Sequence, residues 1–209
     1  VSIVTYTGTG ANATVGHGLG VAPKMVIVKN RTVGRAWAIY HANLTSADYT
    51  LAFDTSAQAS FPTAWNSTAP TSSVFSVGAN TRTNESAQSI VAYCFAEIAG
   101  FSKFGSYTGN GSADGPFVYT GFRPKYVMWK NASAVADWGI LDGARDPYNA
   151  ETLYLIPDSS AAEAGTGGYL DATANGFKIR SNATGINGST NTIIYMAFAE
   201  SPFSISNAR

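Results

Sequence analysis

Charge is scarce in this chain. Asp, Glu, Lys and Arg together make up 12% of its 209 residues, well below the usual share for a soluble domain. Thirteen basic residues balance thirteen acidic ones, and no basic run or stripe exists to neutralise a phosphate backbone, which argues against a nucleic-acid partner. Cysteine is scarcer still: Cys94 stands alone, so no intrachain disulfide can form. It lies in the apolar run Ile90 to Ala96 and is expected to be buried as a small hydrophobe, not poised as a nucleophile. Long apolar runs are missing as well, which argues against insertion into a membrane. The first residues lack the charged, apolar and small-residue order of a signal peptide, and the sequence reads as an excised or processed part of something longer. Histidine is limited to His17 and His41. They assemble no visible zinc spacing, no G-x-S-x-G elbow accompanies them, and no cofactor motif is apparent.

What the chain has in quantity is glycine, 21 residues of it, together with Ser, Thr and Asn. Glycine tolerates positive φ, and the small polar side chains hydrogen-bond their own turn backbone. That composition suits short strands joined by many turns, with hydroxyl and amide groups supplying solubility. Apolar, β-branched and aromatic runs bounded by turn residues read as strands at Lys24 to Lys29, Trp37 to Tyr40, Val74 to Val77, Ile90 to Ala99, Lys125 to Lys130, Trp138 to Leu141, Phe177 to Ile179 and Ile193 to Ala199. Helix is expected to be rare, with one turn near Ser159 to Glu163.

The strongest signal is self-similarity at an offset of about a hundred residues. Tyr6-Thr7-Gly8-Thr9-Gly10 is answered by Tyr107-Thr108-Gly109-Asn110-Gly111. The stretch Gly20 to Asn30 aligns without a gap with Gly121 to Asn131, and Trp37 and Trp138 follow at the same distance. Ile90 to Glu97 then matches Ile193 to Glu200. Four blocks in one order predict an internal duplication. The expected fold is therefore all-β: two tandem antiparallel β-sandwich units of jelly-roll or lectin-like form, residues 1–104 and 105–209, each closing its own core.

Several groups invite a chemical reading. Lys29 with Glu97, and their counterparts Lys130 with Glu200, are placed to pair across neighbouring strands; a structural ion pair outweighs a catalytic carboxylate there. His17 sits in a Gly-rich turn and is expected to be solvated. Asp142, Asp146, Asn149, Glu151 and Asp158 crowd one segment, but no EF-hand spacing is present and acidic turns explain them better than calcium. The N-x-Ser/Thr triplets, including those at Asn30, Asn84, Asn110, Asn131 and Asn187, read as turn chemistry. Carbohydrate recognition needs an aromatic face beside amide, carboxylate or hydroxyl groups on loops. Two loops have that composition, and the candidate glycan-binding residues are Trp65 and Asn66 in the first and Asp146, Tyr148 and Asn149 in the second. Trp37 and Trp138, equivalent in the two copies, are expected in the core.

The second copy carries Tyr107 to Gly111, Gly121 to Asn131, Asp158-Ser159-Ser160-Ala161-Ala162-Glu163, Asn175-Gly176-Phe177-Lys178-Ile179-Arg180, Asn187-Gly188 and Tyr195 to Glu200. In these blocks it resembles a β-sandwich repeat of tailed-phage tail fibres. The first copy matches at its two ends and has a divergent middle without the Ser-Ser-Ala-Ala-Glu segment. The resemblance implies a virion-surface, extracellular location, contacts with other virion subunits, and homo-oligomerisation, often trimeric. The expected function is non-enzymatic attachment to a host cell-surface glycan or receptor, with no catalytic or metal-binding residues assigned. The alternatives are a purely structural fibre, capsid-decoration or tail subunit and, further off, a polysaccharide-degrading enzyme.

Overall fold

The computed structural model describes residues 1–165 and 167–201. The chain is all-β, and its strands pair antiparallel throughout. It divides into two compact units, Val1–Ala96 and Glu97–Arg209.

In the first unit the strands are β1 (Ser2–Thr7), β2 (Ala13–Gly16), β3 (Met25–Asn30), β4 (Ala38–His41), β5 (Tyr49–Thr50), β6 (Ala59–Ser60), β7 (Val74–Val77) and β8 (Ser89–Phe95). Two single helical turns, α1 (Pro62–Trp65) and α2 (Thr81–Asn84), interrupt them. A four-stranded sheet runs in the order β1-β8-β3-β4, beside the short ladders β2-β7 and β5-β6. At the sheet edge β1 alternates, turning Val4 and Tyr6 inward while Ile3 stays exposed; the interior strand β3 is buried along nearly its whole length. The core joins Val26, Val28, Ile90, Ala92 and Cys94 of this sheet to Phe75 and Val77 of the β2-β7 ladder. Cys94 is buried as expected, and desolvation pushes its thiol up to about 11, which keeps it protonated and unreactive.

The second unit contains β9 (Ser102–Thr108), β10 (Phe117–Tyr119), β11 (Pro124–Asn131), β12 (Gly139–Asp142), β13 (Tyr154–Leu155), β14 (Leu170–Thr173), β15 (Gly176–Ile179), the helical turn α3 (Thr184–Asn187) and β16 (Thr192–Ala199). A five-stranded sheet runs β13-β12-β11-β16-β9, and a three-stranded sheet runs β10-β15-β14. Side chains from both sheets, among them Trp129, Leu141, Leu170, Phe177, Ile193 and Tyr195, join in one core. The register of β11 on β16 shifts between Pro124 and Tyr126, where a residue without an N–H cannot join the ladder.

The same local bonds hold both units. The phenols of Tyr6 and Tyr107 donate to the carbonyls of Thr83 and Ile186, inside α2 and α3. Buried Asn84 ties down Thr9 and Ala11; buried Asn187 does the same for Asn110 and Ser112. Asn30 Oδ1 accepts from the N–H groups of Thr32 and Val33, and Asn131 Oδ1 from those of Ser133 and Ala134. These asparagines are consumed in internal hydrogen bonds, as turn chemistry predicts. A Cβ on Gly8 or Gly109 would stand 2.0 or 2.2 Å from the carbonyl oxygen of Glu85 or Gly188, so glycine is required at both turns.

Four expectations need correction. No helical turn forms at Ser159 to Glu163; the turns lie at Pro62–Trp65, Thr81–Asn84 and Thr184–Asn187, where they carry buried groups into each core. Lys29 and Lys130 do not pair with Glu97 and Glu200. Each lysine reaches a carbonyl six residues on, Arg35 and Ala136, while Glu97 pairs with Lys103 at 2.8 Å and Glu200 with Arg123 at 3.1 Å. His17 is buried, not solvated: its Nδ1 accepts from the Leu19 N–H and its Nε2 donates to the Thr71 carbonyl. Finally, the division expected at residues 104/105 falls inside β9, which pairs along its length with β16, so the units part between Ala96 and Glu97.

Candidate functional site

Trp65 is not available to a ligand. Pro62 at the start of α1 presets the turn, Asn66 ends it in the left-handed conformation (φ 50°), and the indole is thereby driven into the core at 1% exposure, edge-on to Tyr40 at 5.8 Å. Asn66 is left half-buried beside it. In the second loop Asp146 is a structural acceptor. Its Oδ2 receives the N–H groups of Thr152 and Leu153 and the Thr152 hydroxyl. Thr152 N–H donation outweighs desolvation, and further donation from Leu153 and Tyr148 helps hold this carboxyl below the usual range. Asn149 pairs with the backbone of Ala172 through both its oxygen and its nitrogen. Only Tyr148 stands free, at 80% exposure. The five expected residues therefore do not converge on a sugar site: Trp65 is core, Asn66 ends the helical turn, Asp146 and Asn149 pin a loop, and Tyr148 has no second ring beside it among the described residues.

The acidic segment resolves into ion pairs and turns. Asp142 accepts from Arg145 at 2.6 Å, and Arg145 also reaches Glu163. Asp158 Oδ1 accepts from the Trp138 N–H at 3.1 Å, anchoring the chain after β13 to the start of β12. Burial raises the Asp158 carboxyl, and nearby Asp137 adds to the rise. Among the described residues, no three His, Cys, Asp or Glu side chains converge as a metal would require.

The concave site that does form lies in the second unit and was missed by loop composition. Trp129 of β11, Tyr154 of β13 and Tyr169 just before β14 gather around an open cleft of about 200 Å³. The Trp129 and Tyr169 rings lie near-parallel at 6.4 Å, and Tyr154 meets Tyr169 at 4.6 Å. Asp137 stands exposed at the rim, and Gly185 and Ile186 of α3 close one side. Desolvation, with a hydrogen bond to Tyr154, pushes the Tyr169 phenol up to about 12. Tyr169 therefore remains a neutral hydrogen-bonding group at the mouth of an aromatic wall.

Glycine makes the wall possible. Gly139 is the cross-strand partner of Trp129, and a Cβ there would stand 2.0 Å from Trp129 Cζ2. In the first unit the corresponding cross-strand pair is Val28 with Ala38, and Ala36 occupies the position of Asp137. The cleft is thus specific to the second unit, and the signal for it was present in the aligned copies as a small-to-large exchange on one strand matched by a large-to-small exchange on its neighbour. The first unit has a groove between β1 and β2, lined by Tyr6 and threonines, but the Tyr6 hydroxyl is spent on Thr83 and, among the described residues, no second aromatic lines the groove.

Chemically, the cleft offers apolar aromatic surface for the C–H face of a ring and a carboxylate and phenols for its hydroxyls. No curated protein and no solved structure matches this chain. A family model does, over residues 1–202, and the chain belongs to that family, described as a domain of unknown function, DUF7483.

Proposed function

We propose that the chain is a non-enzymatic carbohydrate-binding module of a virion or other extracellular surface, and that its sugar site is the Trp129-Tyr154-Tyr169 cleft. The observation that carries this reading is the cleft itself: the half-buried rings of Tyr154 and Tyr169, backed by buried Trp129, border one open depression with the Asp137 carboxylate at its edge. Stacking on such rings suits the apolar face of a pyranose, and acceptors at the rim suit its equatorial hydroxyls. The virion setting is supported by the resemblance of the strand and turn blocks to tail-fibre repeats, and the matching bonds of Tyr6 and Tyr107, or Asn84 and Asn187, support descent of the two units from one duplicated sandwich.

A second reading, a structural fibre or decoration subunit held by contacts with its own kind, is favoured by the edge strand β10. Phe117 and Tyr119 project from it at 49% and 64% exposure, an arrangement suited to burial against a neighbour.

A glycan array probed with the whole chain tests the first reading, followed by titration of the best ligand against Tyr169→Ala and Asp137→Asn. Each substitution is expected to weaken binding about tenfold or more; Asp137→Asn should leave the melting temperature nearly unchanged, whereas Tyr169→Ala, which removes a ring packed on the core, should also lower it and is titrated well below its transition. A folded chain that binds no glycan and sediments as a stable oligomer would replace this reading with the second.

A further inference from the structure

Tyr169 has two sides. One closes the aromatic cleft; together with Ala183, the same residue also lines an adjoining groove of about 360 Å³ that holds Arg180, Ser181 and Asn182. Cleft and groove therefore adjoin at Tyr169 and Ala183. The backbone fixes this arrangement. The Arg180 N–H donates to the Tyr169 carbonyl at 2.9 Å, continuing the β14-β15 register one step past Leu170 and Ile179. Tyr169 and Arg180 are thus cross-strand neighbours at the end of the hairpin, whose inward face buries Leu170, Ala172, Phe177 and Ile179; the Tyr169 ring packs half-buried against that core, and the Arg180 side chain reaches solvent.

Arg180 is oriented but not used up. Its Nε donates to Asp171 Oδ2 at 2.5 Å, which sets the plane of the guanidinium along one edge. The Nη groups make no hydrogen bond among the described residues, and the side chain is 44% exposed. Asn182 stands exposed beside it. The next cation along, Lys178, is committed to Asp114 at 2.7 Å and to the Gly115 carbonyl. The groove therefore presents one free, planar, two-donor edge, not a field of positive charge. Such an edge matches a single carboxylate in bidentate geometry and does not match a polyphosphate.

We propose that cleft and groove form one track for an acidic oligosaccharide. One pyranose stacks on the half-buried rings of Tyr154 and Tyr169, which Trp129 backs from the core, the chain continues past Tyr169, and the adjoining sugar presents its carboxylate to the Nη edge of Arg180, with the Asn182 amide on its hydroxyls. The proposal rests on the carbohydrate-binding reading and adds the ligand class and a minimum length of two sugars. Because Asp171, and Asp114 nearby, offset part of the arginine charge, selection for the acid comes from hydrogen-bond geometry and is moderate.

The test uses an array carrying neutral, uronic-acid and sialylated oligosaccharides, followed by titration of the tightest acidic ligand and its carboxyl-reduced counterpart against the whole chain and three variants. Acidic glycans are expected to dominate the array. Carboxyl reduction and Arg180→Gln are each expected to weaken binding about tenfold, and together no more than either alone. Arg180→Lys, which keeps the charge and loses the fork, restores less than half of that loss on a logarithmic scale. Tyr169→Ala weakens acidic and reduced ligands alike. Neutral glycans bound as tightly as acidic ones, or an acid preference that survives Arg180→Gln, would overturn the acidic track and leave the carbohydrate reading intact. A folded chain that binds no sugar at all removes both.

Discussion

Glu151 is 5% exposed, and its backbone pairs with Leu170 and Tyr169, so it sits directly behind the aromatic cleft. Desolvation, with Asp146 and Asp142 adding to it and Arg123 and Lys125 opposing, pushes its carboxyl up to about 7. The folded state therefore keeps a proton that the unfolded chain loses at the ordinary glutamate pKa. Between about 4.5 and 7 the native state binds more protons, so stability falls as pH rises across that window, by up to about 3 kcal/mol. Asp142 and Asp146 act with the opposite sign: their carboxyls are held below the usual range, and the stability they supply is lost as the solution becomes more acidic than their folded values. The second unit should accordingly melt higher at pH 5 than at pH 8, and lower again under strongly acidic conditions. Glu151→Gln, which keeps the shape without the ionisation, should raise the melting temperature at pH 8 and flatten the slope between pH 5 and 8. Melting temperatures that do not change over that interval, in wild type and variant alike, would contradict the assignment.

At the level of paired strands, Trp129 on β11 and Gly139 on β12 behave as one unit. The glycine has no side chain to hold the indole away, and the ring occupies the space a Cβ would need. Gly139→Ala alone is expected to destabilise the second unit by about 1–3 kcal/mol through overpacking. Adding Trp129→Val recreates the Val28-Ala38 pair of the first unit and should recover part of that loss, because contacting residues couple non-additively. The double variant should also lose glycan binding, since its cleft has lost one wall; thermal denaturation and array binding check the two outcomes separately. The strand runs themselves were legible in sequence, because β3, β7, β8, β11, β15 and β16 are apolar stretches bounded by Gly, Pro, Asn or Ser, and their pattern is set locally. The cleft was not. Trp129, Tyr154 and Tyr169 come from three separate strand positions, each of which reads alone as an ordinary core aromatic. Trp65 misled in the other direction: it looked like a loop residue because one helical turn, not a strand, delivers it to the core.

At the scale of the whole molecule, the sequence blocks that match at an offset of about a hundred residues fall on turn glycines and strand residues, which are tied to backbone geometry, but the point of division between the units was not legible. Phe104-Gly105 looked like a junction between aligned blocks, whereas β9 runs through it and pairs Ser102, Lys103 and Phe104 with Phe198, Ala197 and Met196. Strand pairing over ninety residues of separation leaves no local mark in composition. Each core draws its residues from one unit only, which predicts that residues 1–96 and 97–209, expressed separately, each unfold in a single cooperative transition. A fragment cut at 105–209 loses the first half of an edge strand together with the Phe104 packing against Phe198 at 6.2 Å, and should melt below the 97–209 fragment. Glycan binding should travel with residues 97–209 at unchanged affinity and be absent from residues 1–96. Chemical denaturation followed by tryptophan fluorescence is suited to the comparison, because Trp37 and Trp65 report on the first unit and Trp129 and Trp138 on the second. A 97–209 fragment without a cooperative transition, or one no more stable than 105–209, would show that the second core depends on residues outside it.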